Sequence, residues 1–334
     1  MGHLSPAIVA VIVMAFLFDM LNGMHDAANS IATVVSTRVL SPGQAVLWAG
    51  FFNFVAAFFF KVHVADTIGK GLVDPRVVDT AVVAGALIGA SLWDWITIVF
   101  GIPVSSSHAL IGGMIGAGFA KAGAGCLQYA TLKTTVLFIF LSPLIGLIFG
   151  FGLMVAVYWI FRRRSPSQVD RFFRVGQMFS AGLYSLSHGA NDGQKTMGVI
   201  AVLLYANGLL GDKFYVPVWV IVACCAVMGL GTTLGGWKIV RTMGSKVTKL
   251  KPVGGFCAEA GAGLSILICS AFGIPVSTTH TITGAIVGVG TTQRLSAVRW
   301  GVAGRIVWAW VLTIPCAALT SALVYKLLAL AFRA

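Results

Sequence analysis

Two short stretches hold most of the side chains in this 334-residue chain that can do chemistry. One is Asn22-Gly-Met-His-Asp-Ala-Ala-Asn-Ser30. The other is Ser187-His-Gly-Ala-Asn-Asp-Gly-Gln-Lys-Thr-Met-Gly198. Each sets an aspartate, Asp26 or Asp192, among amides, hydroxyls and an imidazole, and each is embedded in apolar sequence. Charged and amide groups are costly to bury in hydrocarbon unless they are paired or line a polar cavity. Such a stretch is therefore either a loop in water or the working part of a membrane protein. Asp26 with Asn29 and Ser30, and Asp192 with Asn191 and Thr196, present hard oxygens that suit Na⁺ or a proton-carrying carboxylate. We expect them to lie at helix breaks and to form the coupling-ion set. Lys195 is the only lysine well inside an apolar segment. It can pair with either aspartate or help to neutralise an anionic substrate. His25 and His188 flank the acids and are candidates for relaying protons. Asp94 and Glu259, also in apolar surroundings, are expected to support these groups from behind rather than to touch substrate.

A second motif occurs twice. Gly101-Ile-Pro-Val-Ser-Ser-Ser-His108 recurs as Gly273-Ile-Pro-Val-Ser-Thr-Thr-His280, and half of the positions from Gly101 to Gly118 are repeated in 273–290. Glycine ends a helix easily, proline cannot continue one, and serine and threonine favour the N-cap of the next. Each copy predicts helix, short break, new helix. The flanking arms, about 81–100 and 104–120 in the first copy, are marginal for a full crossing, so re-entrant hairpins with tips inside the membrane are expected. At such a tip, free backbone N–H groups, the positive end of the helix dipole and the hydroxyls of Ser105, Ser106, Ser107, Ser277, Thr278 and Thr279 converge. That is an anion site suited to a phosphate-like oxyanion.

Composition says what must position these groups. The chain is 58% hydrophobic and 10% charged, with a mean hydropathy of +0.92. This places it among polytopic membrane proteins, with the lipid bilayer as its surroundings. The absence of ten-residue alternating strands argues for helices rather than a barrel. A net charge of +13 invites a nucleic-acid reading. The basic residues, however, cluster in short loops at 162–174, 238–251 and 294–305, as expected of cytoplasmic loops in a multi-pass inner-membrane protein. Both termini then fall outside. The six cysteines form no paired spacing, so neither a metal centre nor a disulfide framework is expected. There is no His-Glu-x-x-His, and the serines repeat symmetrically rather than forming one nucleophile turn, so an enzyme is not expected.

Five apolar segments precede the 162–174 loop and five follow it. Two similar halves with an odd number of segments insert with opposite orientation, so the organisation reads as repeat 1 over 1–161, a basic linker over 162–175, and an inverted repeat 2 over 176–334. The Asp stretches align at Gly23/Gly189, Asp26/Asp192 and Ser30/Thr196. Inverted repeats with broken helices at mid-membrane are characteristic of secondary transporters.

Taken together, Gly23–Ser30, Gly189–Lys195 and the two Gly-Ile-Pro-Val-Ser…His elements resemble the signature repeats of the inorganic phosphate transporter (PiT) family, over about residues 10 to 330. The resemblance implies an all-α membrane protein that couples inorganic phosphate, free or as a metal–phosphate complex, to H⁺ or Na⁺ by alternating access, as a homodimer. It implies no cofactor beyond the transported cation and no resident metal, Na⁺ being accommodated at the coupling-ion residues. Asp26, Asn29, Asn191, Asp192, Gln194 and Lys195 would be ion and substrate ligands, and Ser105, Ser106, Ser277 and Thr278 the phosphate-binding tips. His25 stands where many relatives carry asparagine, which changes the local ion chemistry. The same architecture moving sulfate or another oxyanion, or acting as a passive anion channel, is the competing expectation.

Overall fold

The computed structural model describes residues 5–59 and 62–331, with only the backbone of Lys70; the extreme termini, expected outside, lie beyond the described residues. Twelve α-helices, and no β-strand among the described residues, make up the chain. They are α1 (Pro6–Ser36), α2 (Pro42–Val55), α3 (His63–Gly71), α4 (Thr80–Phe100), α5 (Ser106–Ala122), α6 (Tyr129–Phe161), α7 (Pro166–Ala206), α8 (Val218–Leu234), α9 (Trp237–Arg241), α10 (Pro252–Ala271), α11 (Thr278–Gln293) and α12 (Trp300–Ala331). Local chemistry sets the ends. α1 starts on Ser5, whose hydroxyl accepts from Ile8 N at 3.3 Å, followed by proline. α7 starts on a Ser165/Gln168 capping box. α4 and α10 are followed by glycines in the left-handed region, Gly101 (φ +67°) and Gly273 (φ +68°).

The expected helix breaks at the aspartates are not there. α1 runs without interruption through Asp26, and α7 through Asp192. Neither stretch contains proline, and their alanines favour helix. Their glycines serve packing instead: a Cβ at Gly189 would stand 2.6 Å from the Asn53 carbonyl oxygen of α2, and one at Gly23 would collide with the Met228 carbonyl of α8. The breaks lie at the two Gly-Ile-Pro-Val turns and between α2 and α3 and α8 and α9, where the paired helices bend by more than 40°. The region from Pro42 to Gly71 is thereby divided into α2 and α3, and the basic stretch 238–251 contains α9 and a π-helical turn, Thr242–Lys246. Between α6 and α7 the non-helical joint is only 162–165, so Arg171 and Arg174 belong to α7.

Helix contacts come in corresponding pairs. α5 packs on α12 as α11 packs on α6; α4 joins α12 as α10 joins α6; α1 packs on α8 as α7 packs on α2. The repeated glycines explain the first pair. A Cβ at Gly112 would stand 2.6 Å from Ile314 O in α12, and Gly284 and Gly288 lie as close against Pro143 and Leu147 of α6. Five helices, α1, α4, α6, α10 and α12, are long and apolar enough to cross a membrane. α6 and α12 turn large apolar side chains outward, among them Phe140, Ile148, Trp308 and Leu319. An exterior of that kind needs lipid, not water, as its solvent.

Candidate substrate and ion site

The two hairpins, α4–α5 and α10–α11, place their tips against the polar middles of α1 and α7. At each tip the first hydroxyl is used by its own helix. Ser105 Oγ accepts from His108 N (3.3 Å), and Ser277 Oγ accepts from His280 N (3.2 Å). The next two hydroxyls turn outward to the aspartates. Ser106 Oγ lies 2.9 Å from Asp26 Oδ2 and 2.5 Å from Asn22 Oδ1, and Thr278 Oγ1 donates to Asp192 Oδ2 at 2.7 Å. Thr279 Oγ1 is 3.5 Å from Asp26 Oδ1, and Ser107 Oγ is 3.1 Å from Asp192 Oδ1.

These contacts correspond one to one. Ser106 is to Asp26 as Thr278 is to Asp192. Asn29 Nδ2 donates to Thr279 Oγ1 at 2.9 Å, and Lys195 Nζ, at the aligned position of α7, donates to Ser107 Oγ at 2.7 Å. The differences are chemical. Asn29 is neutral, whereas Lys195 brings a charge that also meets Asp192 Oδ1 (2.5 Å) and the Val276 carbonyl (2.7 Å). Opposite Asn191, which donates to Val276 O at 2.9 Å, stands His25, which bonds Asp26 (2.8 Å) and Thr97 (3.2 Å). His188 joins the halves: its Nε2 is 3.2 Å from Asp192 and 3.9 Å from Asp26, and its Nδ1 is 3.1 Å from Asn53 Oδ1. Asp26, His188 and Asp192 each offer an atom within 4.8 Å of the others, a group able to hold a cation. Each of these groups is at most 3% exposed. In so little water every charge interaction is strengthened and every unpaired charge is costly.

Other expected residues stand outside this network. Gln194 Oε1 accepts from Val64 N (2.9 Å) and Ala65 N (3.3 Å), capping α3. Thr196 Oγ1 donates to Asp19 Oδ1 at 2.9 Å, two turns along α1 from Asp26. Ser30 Oγ is buried with no hydrogen-bond partner. Glu259 accepts from Thr33 Oγ1 (2.6 Å), Gln177 Nε2 (3.0 Å) and Ser180 Oγ (2.5 Å). Asp94 is fully buried and neither carboxylate oxygen has a hydrogen-bond partner. Asn22, Asn53 and Thr97 belong to the cluster but were not singled out from sequence. Asn22 had a signal, since it lies one helical turn before Asp26. Asn53 and Thr97 had none, because only the packing of α2 and α4 brings them in.

A family model described as the phosphate transporter family matches residues 22–321. A relative named a probable low-affinity inorganic phosphate transporter, from Rhizobium meliloti (strain 1021), is 58% identical over 96% of this chain and 96% of its own length. One of the same name from Bacillus subtilis (strain 168) is 41% identical over 97% of this chain and 98% of its own. A solved structure of a sodium-dependent phosphate transporter superposes with a TM-score of 0.90 at 27% identity, covering 98% of this chain and all of that one.

Proposed function

We propose that this chain, which belongs to the phosphate transporter family, is a cation-coupled symporter that carries inorganic phosphate across a membrane by alternating access. The observation that carries this is the meeting of both hairpin tips with both aspartates in one buried cluster. Ser106 and Ser107 reach Asp26 and Asp192, and Thr278 and Thr279 reach Asp192 and Asp26.

Charge balance makes coupling a requirement. The cluster already holds two carboxylates against Lys195. A phosphate adds one or two negative charges, and an inside-negative potential opposes its entry by about 2.3 kcal/mol per charge per 100 mV. Cations must therefore enter with it. Phosphate would take the hydroxyl donors and Lys195 that now serve the aspartates, and the coupling cation would take the carboxylates so released. A proton fits the imidazoles of His25 and His188 beside the acids; Na⁺ fits Asp26 and Asp192 with the neighbouring oxygens. The corresponding contacts of the two halves support an inverted repeat with re-entrant hairpins, in which one hairpin group rocks against the other. The basic loops support an inner-membrane location with those loops cytoplasmic, and we assign the chain to a homodimer on the family resemblance. Uptake of labelled phosphate into proteoliposomes, with pH and Na⁺ gradients imposed separately, tests the proposal. Accumulation driven by at least one gradient is expected. Flux that only follows the phosphate gradient would make the protein a passive pathway.

A further inference from the structure

A groove of about 620 Å³ lies far from the aspartate cluster, where the α6–α7 corner meets the start of α10 and the end of α11. Met154, Val157 and Phe161 form an apolar wall along the last turns of α6. The wall continues onto Tyr158, which also lines the groove and is exposed on the outer side of the same helix. Arg162, Arg164 and Lys251 stand at the rim. No ion pair among the described residues involves these three cations. The acid beside them, Asp170, is engaged by Arg174 at 2.9 Å. Arg162 also lies over the Trp159 ring at 5.3 Å, which holds the guanidinium at this end of α6.

We propose that this groove is a binding site for an anionic phospholipid, its phosphodiester headgroup held by Arg162, Arg164 and Lys251 and one acyl chain laid along the α6 wall. The chemistry selects this occupant on two counts. The apolar wall opens outward only past Tyr158, and an apolar opening on the flank of a membrane-spanning helix is covered by hydrocarbon. A rim of uncompensated cations at the end of a membrane-spanning helix draws anionic headgroups, as basic pockets between such helices do. A small anion would satisfy the rim and leave the wall empty; a zwitterionic lipid would cover the wall and leave the charge unbalanced. Because the groove joins α6 and α7 to α10 and α11, the bound lipid clamps the joint between the chain's two halves to the base of the second hairpin.

The test uses the full-length protein, delipidated in neutral detergent. Binding of phosphatidylglycerol, phosphatidylcholine and sodium phosphate is measured by native mass spectrometry and by thermal shift. Wild type is expected to retain phosphatidylglycerol in preference to phosphatidylcholine. The double substitution Arg164→Gln/Lys251→Gln is expected to weaken phosphatidylglycerol roughly 30-fold, taking each cation as contributing a comparable headgroup attraction. Arg171→Gln/Lys249→Gln removes the same charge outside the groove and is expected to change it little. Val157→Trp fills the wall, leaves every cation in place, and is expected to weaken lipid binding as well. Equal affinity for the two lipids, or equal loss in the control pair, would overturn the proposal. So would a site that sodium phosphate fills equally well and that Val157→Trp does not affect, which would mark it as a small-anion site.

Discussion

The buried pair Lys195–Asp192 permits a quantitative test of how the site is held together. Lys195 Nζ is 2.5 Å from Asp192 Oδ1, with further contacts to Ser107 Oγ and Val276 O at 2.7 Å each, and both side chains are at most 2% exposed. Lys195→Met leaves Asp192 with Thr278, Ser107 and His188 but without its cation. Breaking a buried pair from one side costs about 3–5 kcal/mol. The lower half of that range applies here, because two hydroxyls and an imidazole remain on the carboxylate. Asp192→Asn leaves the ammonium facing a neutral amide, at a similar cost. Removing both charges removes the reason for most of the penalty. The double variant should therefore be more stable than the sum of the singles by about 2 kcal/mol, within the usual range for residues in one network. Equilibrium unfolding of all four proteins in mild detergent, titrated with SDS, measures the cycle, and phosphate uptake is read in parallel. The double variant is expected to be folded and inactive. Additivity within about 0.5 kcal/mol would refute the pairing as an energetic unit, and wild-type uptake by the double variant would remove the pair from the transport cycle.

Asp26→Asn, which weakens the contact to His25 and removes the charge facing Ser106, should abolish uptake while the protein still reaches the membrane; normal accumulation in proteoliposomes would count against its role. Gly112→Val and Gly284→Val should each destabilise by about 1–3 kcal/mol or more by forcing α5 off α12 and α11 off α6. Gly152→Ala, which meets nothing within 4 Å, should be neutral or slightly stabilising in the same unfolding assay. Among the buried acids, Glu259→Gln should lower stability by about 1–3 kcal/mol, because three donors are turned on that carboxylate. Asp94→Asn should hold or raise it, since no donor is lost and a buried acid is removed; a larger loss for Asp94→Asn than for Glu259→Gln would reverse that ranking.

The all-helical membrane architecture was legible because it rests on composition and on signals read over whole segments. The two Gly-Ile-Pro-Val turns were legible because glycine and proline act locally. Polarity, by contrast, is not a sign of backbone irregularity. Asp26 and Asp192 looked like helix breaks only because their neighbours are polar, yet polar side chains inside a membrane helix need partners and not a broken backbone. The partners came from the hairpin tips, 80 residues away for Ser106 and 86 for Thr278. Nothing in a local window reports them.

The same distinction explains which of these residues come together. Lys195, Asn29, Ser106, Ser107, Thr278 and Thr279 converge because each lies at an aligned position of two halves that pack on one another in the same way, so repetition in sequence becomes correspondence in space. Gln194 and Thr196 have aligned partners too, Ala28 and Ser30, but they are engaged outside the cluster: Gln194 caps α3, and Thr196 holds Asp19, whereas Ala28 has no polar group and Ser30 Oγ no hydrogen-bond partner. Substitution between the halves is thus where the chemistry of the two copies differs. The charge of Lys195 has only the amide of Asn29 opposite it, and the imidazole of His25 faces the amide of Asn191. The Asp192 half therefore carries a fixed positive charge that the Asp26 half lacks, while each half keeps one imidazole beside its acid, His188 aligned with Asn22 and His25 with Asn191.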